Sequence, residues 1–202
     1  MVGVELFRDT ESFFDRRTSS GFAVPGAIVL LTALISVVND IYVINWQFSN
    51  TEMNMTILYV LTGLVSGGLP ILVWVLVTAC FHGIATVVYE SDASFKRLLQ
   101  LTAYGMVPYA LGSLVSFAVT MVVVNDLSAP TSAAEATQTA LSNDWRIVAV
   151  GYLFLAFLVW SADIWAVAVQ SVHDVSQKRA FAIVAGPVVV LLAVMWYLLV
   201  GA

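Results

Sequence analysis

The sequence predicts an all-α, polytopic membrane protein. It would form a bundle of five transmembrane helices, N-terminus cytoplasmic and C-terminus outside, preceded by a short amphipathic helix along the interface. Three observations predict this. Hydrophobic residues make up 60% of the chain and charged residues 10%, with a mean hydropathy of +0.93, whereas a soluble domain is about a quarter charged. Apolar runs fall at 22–44, 58–89, 98–124, 146–171 and 180–200, and each supplies the roughly 20 residues needed to cross about 30 Å of hydrocarbon. In a five-span reading, Arg8, Arg16, Arg17, Lys96, Arg97, Lys178 and Arg179 fall on one side and only Arg146 on the other. The positive-inside rule puts the larger group in the cytoplasm.

Each element follows in order within a single membrane domain, 1–202. Residues 1–20 form a cytoplasmic segment. On a helical wheel over 4–17, Glu5, Arg8, Asp9, Ser12, Asp15 and Arg16 share one side. Val4, Leu6, Phe7, Phe13 and Phe14 share the other, with Thr10, Glu11 and Arg17 among them, a pattern suited to lying in the interface. The stretch from Phe22 to Val38 exceeds a signal-peptide core and lacks a small-x-small cleavage site, so it reads as an uncleaved first span. The second run is longer than a span needs. Its "GGLP" at Gly67 to Pro70 marks a kink or a short helix leading into the true span. Gly63 and Gly67 form a GxxxG, and Gly112 and Ser116 a small-xxx-small pair, both read as packing devices. The outer loops carry Glu52, Asp126, Glu135 and Asp144, and the triplet "NMT" makes Asn54 a candidate glycosylation acceptor.

Several residues stand out as candidate polar or interaction groups. Asp163 lies inside span four, where a carboxylate costs roughly 2.5–3.5 kcal/mol on insertion scales. Asp163, Gln170 and Asp174 are seven and four residues apart. On a helix Gln170 and Asp174 fall about 20° to either side of Asp163, a stripe expected to face the bundle interior and to have a polar partner there. Asp40 is shallow enough to reach water. His82 sits one turn after Thr78 and His173 ends span four, each read first as a hydrogen-bonding residue near the interface. Neither histidine belongs to an HxxxH or HExxH spacing, so no metal or other cofactor is predicted. Cys80, the lone cysteine, lies in an apolar run and reads as filler. The chain lacks GxSxG, GxGD, HExxH and Walker-type motifs, which argues against an enzyme. Its charge and burial argue against nucleic-acid binding. Thirteen acidic against eight basic residues, only two of them lysine, suits a protein bathed in high salt, as in a halophilic microbe.

One design occurs twice. Trp74 precedes His82 and Trp165 precedes His173, each by eight residues. The basic pairs Lys96-Arg97 and Lys178-Arg179 follow, then Gly and Pro ending at Pro108 or Pro187. Two such hairpins, both turning in the cytoplasm, would form a parallel repeat about an axis near the membrane normal, and their histidines could meet across it. Together with "LFRDTESFFDRR" before span one, the passages "FHGIATVVYESDASFKRLLQLTAYGMVPYAL" and "VHDVSQKRAFAIV" resemble, over nearly the whole chain, the Yip family of Ypt-interacting membrane proteins in its prokaryotic branch. The resemblance implies a five-span bundle with a cytoplasmic N-terminus. For eukaryotic members it implies a non-enzymatic role in vesicle traffic through Rab-type GTPases and fellow membrane proteins. The expected function is a Yip-like scaffold or membrane-organising subunit of a prokaryotic plasma membrane. Its partners are lipid and another membrane or cytoplasmic protein, with homo-oligomerisation open. The alternative is a small transporter or channel component with a polar path near Asp163, His82 and His173.

Overall fold

The computed structural model describes residues 21–49, 52, 54–127, 141 and 143–201. The amphipathic segment 4–17 lies outside them. The described elements are six α-helices and one 3-10 turn: α1 (Ala23–Gln47), α2 (Thr56–Tyr89), α3 (Phe95–Thr102), the 3-10 turn Ala103–Gly105, α4 (Met106–Asp126), α5 (Trp145–His173) and α6 (Gln177–Gly201). Taking α3, the turn and α4 as one unit, five segments are long and apolar enough to cross a membrane. Their outer surfaces carry exposed Leu, Val and Ile, for example Leu30, Leu64, Val87 and Val190, as a helix must when its solvent is lipid.

The predicted runs match these helices to within a few residues, with two corrections. α2 runs unbroken through Gly67–Pro70 for 34 residues, so no separate short helix precedes the span. Pro70 and Ser66 are both buried inside the bundle, where neighbours can compensate for the missing donor. The third span, in contrast, is interrupted. Pro108 has no N–H to offer the Tyr104 carbonyl, and the backbone tightens to 3-10 geometry over Ala103–Gly105 just ahead of it.

Packing is ring-like: α1 touches α2 and α4, α5 touches α4 and α6, and α2 closes the circuit against α6. The α3 helix and the 3-10 turn contact α1, α2 and α5 from within. Consecutive residues 101–106 are all buried, Tyr104 to 1% exposure and Thr102 and Ala103 to zero. A stretch buried on every side is a plug. It fills the half of the bundle carrying Lys96-Arg97 and Lys178-Arg179, called here the basic-pair end. Around it lies the main apolar core, with Phe81, Leu98, Met106, Trp165, Val169 and Ile183. Towards the other end, marked by Arg146, packing is looser and a smaller cluster of Val123, Val124 and Leu141 closes the bundle.

Candidate functional site

At the basic-pair end the two repeated tryptophans converge on one turn of backbone. Trp74 Nε1 donates to Leu99 O (3.1 Å) and to Thr102 Oγ1 (3.2 Å). Thr78 Oγ1 lies 2.7 Å from Thr102 Oγ1. Trp165 Nε1 donates to Thr102 O at 2.9 Å. That carbonyl is available because the Met106 N–H bonds to Ala103 O in the 3-10 turn and so leaves its α-helical partner. Gly105 makes room for the indole: a Cβ there would lie 2.1 Å from Trp165 Nε1. Trp165 thus bonds to the plug rather than to the helix that follows it, so the two hairpins are not equivalent in their contacts.

The histidines meet. The His82 and His173 rings are 5.3 Å apart, and His82 also lies edge-on to Phe95 at 5.4 Å. His173 Nδ1 is 2.9 Å from Ser91 Oγ, while His82 Nδ1 and His173 Nε2 are buried without a hydrogen-bond partner. Beyond this pair the helices end unequally. α5 stops immediately at Asp174, whereas α2 continues to Glu90; both capping residues take left-handed backbone, φ 50° and 52°. The Arg179 guanidinium sits over the Tyr89 ring (5.5 Å) and Lys96 over Phe22 (5.9 Å). Two turns about eighty residues apart in sequence are therefore tied into one face. It carries Lys96, Arg97, Lys178 and Arg179 together with Glu90, Asp92 and Asp174, and among the described residues none of these seven is in an ion pair. Among the described residues no three His, Cys, Asp or Glu side chains are grouped as metal ligands.

At the Arg146 end a cleft opens between α1, α2 and α4. Two adjoining cavities, about 670 and 280 Å³, share Asn39, Asp40, Val65, Ser66 and Ser116 in their walls. Asp40 accepts hydrogen bonds from Ser66 Oγ on α2 and from Asn39 Nδ2 (3.0 Å). Asn39 Oδ1 is buried with no donor. At the rim, Arg146 bridges Asp126 and Asp144. Asp144 also caps α5 through the Arg146 backbone N–H at 2.8 Å. The side-chain bond to Arg146, helped by that N–H and by the guanidinium charge, holds the Asp144 carboxyl below the usual carboxylate range.

The Yip1 domain family model matches residues 4–198. The chain belongs to the Yip1 family. No curated protein and no solved structure matches it. The sequence-predicted residues of this Yip1-family protein divide between the two ends. His82, His173, Asp174, Lys178 and Arg179 gather at the basic-pair end, and Gln170 is half-buried one turn before them. Asp163 does not join them. It is exposed on the outer side of α5, with no hydrogen-bond or ionic partner among the described residues, which corrects the expectation of an interior stripe. The inward side of that helix turn is occupied by Ile164 and Trp165, 1% and 3% exposed. These residues flank Asp163 in sequence and their contacts to the plug set the rotation of the helix. Asn54 is exposed, and its side-chain oxygen accepts from the Thr56 N–H at the start of α2. Sequence reasoning passed over the cleft. Its signal was present as Ser36, Asn39 and Asp40 on one span, Thr62 and Ser66 on the next, and Ser113, Ser116 and Thr120 on the third, all at helical spacing.

Proposed function

We propose that this Yip1-family protein is a non-enzymatic scaffold of the plasma membrane that docks a protein partner on its basic-pair face, with that face in the cytoplasm. One observation carries the reading: the two turns joined through His82, His173 and Ser91 present seven charged side chains that form no ion pair among the described residues. Charges of both signs set the orientation of a protein partner and reject mismatched ones. A surface meant for anionic lipid would be cationic throughout. The buried plug of residues 101–106 supports the same reading over a transport path, since it stands between the Asp40 cleft and the histidine pair. Asp163, on the outer side of α5, adds nothing to such a path.

The test is affinity purification from the native membrane, comparing the natural chain with a quadruple Lys96→Gln, Arg97→Gln, Lys178→Gln, Arg179→Gln variant. The docking face predicts at least one stoichiometric partner that is lost from the variant while expression and helical content persist. An unchanged set of co-purifying proteins would remove the proposal.

A further inference from the structure

The Asp40 cleft has a chemistry the docking face does not use. Asp40 is the sole charged group among the described lining residues of the two cavities, which include no Lys, Arg or His. Ser66 and Asn39 each donate one hydrogen bond to its carboxylate, and neither brings a positive charge. The Asn39 amide is fixed in orientation because its nitrogen must face Asp40, and this leaves Oδ1 a buried acceptor without a donor. The site therefore has an uncompensated negative charge and an unmet demand for N–H donors.

Shape narrows the class. A cavity of about 670 Å³ is far larger than the roughly 30 Å³ share of one water and falls in the range of small-molecule sites. The smaller cavity places the Tyr109 and Phe154 rings, 5.3 Å apart and edge-to-face, on the same wall system as Asp40. A carboxylate beside aromatic faces is the environment in which organic ammonium groups are held, by charge and by the ring quadrupole together. The wall contributed by α2 includes Leu61, Val65 and Leu69, all exposed on the bundle surface, so the cleft borders the apolar surroundings. Asp40 lies seven residues before the end of α1, roughly 10 Å along the helix axis. An amine tethered to a hydrocarbon tail could reach that depth.

We infer that the cleft centred on Asp40 binds an organic ammonium group, carried either by an aminoalcohol lipid headgroup or by a free small amine. Asn39 Oδ1 and Asp40 accept its N–H donors, and Tyr109 supplies the aromatic face. Glu52, Asp126 and Asp144 stand at the same end against the single cation Arg146, which favours approach of cations.

The purified full-length protein in neutral detergent is titrated with ethanolamine, with tetramethylammonium chloride and with sodium chloride at matched ionic strength, following heat release and unfolding temperature. In parallel, it is placed in nanodiscs containing phosphatidylethanolamine or only phosphatidylglycerol, and retained lipid is identified by native mass spectrometry. The expected result is saturable binding of ethanolamine, or selective retention of phosphatidylethanolamine, at least tenfold weaker in Asp40→Asn. In that variant Asn39 can turn its free oxygen towards the new amide. Retained lipid names the headgroup as the source; binding of the free amine alone names a soluble one. Ser116→Leu fills the shared wall without touching the Asp40 hydrogen bonds and should also abolish binding, which decides the matter should Asp40→Asn misfold. No saturable response, equal binding by both variants, or an equal effect of sodium chloride would overturn the proposal.

Discussion

Gly105→Ala should be among the most damaging small substitutions in the chain, because of one ring. The added Cβ would lie 2.1, 2.4 and 2.8 Å from Trp165 Nε1, Cδ1 and Cε2. The indole cannot swing away freely: Trp165 is 3% exposed and packs on Phe81 with ring centroids 5.7 Å apart. Overpacking of this kind costs about 1–3 kcal/mol. Displacing the indole also breaks its bond to Thr102 O, stranding the buried indole N–H for another 1–3 kcal/mol or so. The expected loss is therefore about 2–6 kcal/mol. Gly63→Ala is the control. Nothing lies within 4 Å of its Cβ, so the change should be neutral or stabilising by up to about 1 kcal/mol through helix propensity. Reversible unfolding in mixed micelles, followed by far-ultraviolet circular dichroism, measures both. A double-mutant cycle then isolates the cause: in a Trp165→Ala background the ring is gone and Gly105→Ala should cost less than about 1 kcal/mol. Equal stability of the two alanine variants, or an undiminished cost without the indole, would refute the reasoning.

Three further outcomes are expected. Asp163→Leu should fold with stability within about 0.5 kcal/mol of the natural chain, because a surface side chain without a partner has no contact to lose; a drop above ~1 kcal/mol in the same assay would reveal an interior role. Arg146 depresses the Asp144 carboxyl in the folded state, so its stabilisation is present above the ordinary carboxylate value of about 3.9 and is lost as pH falls through the lower folded value. Asp144→Asn should flatten the acid limb of the stability profile, and an unaltered limb would contradict the assignment. Reporter fusions after residues 55, 93, 135 and 175 should alternate outside, inside, outside, inside, and any other order would reverse or break the proposed topology.

The spans were legible because hydropathy over about twenty residues is a strong signal. The meeting of His82 and His173 was legible from their matched spacing after Trp74 and Trp165. The plug was not, since an apolar residue such as Leu101 has the same sequence signature whether it faces lipid or protein. Only Gly105 and Pro108 hinted at it, and they were read as the close of the repeated passage. Asp163 misled for a related reason. A carboxyl in a span favours an inward assignment, but the helix rotation was fixed by Trp165 and Ile164, whose burial the hydropathy pattern does not report. The cleft was missed because Ser36, Ser66 and Ser116 are small as well as polar. In a membrane helix smallness is the commoner reason for serine, and only their meeting around Asn39 and Asp40 shows otherwise.

The docking claim rests on two distant turns forming one face, and site-specific photocrosslinking tests it most directly. A photoreactive amino acid is placed at Lys96 in one variant, at Lys178 in a second and at Glu52 in a third, and each is irradiated in the native membrane. The account predicts that positions 96 and 178 capture the same partner, identified by its peptides, and that position 52 does not. Different partners at 96 and 178, or capture confined to position 52, would contradict it.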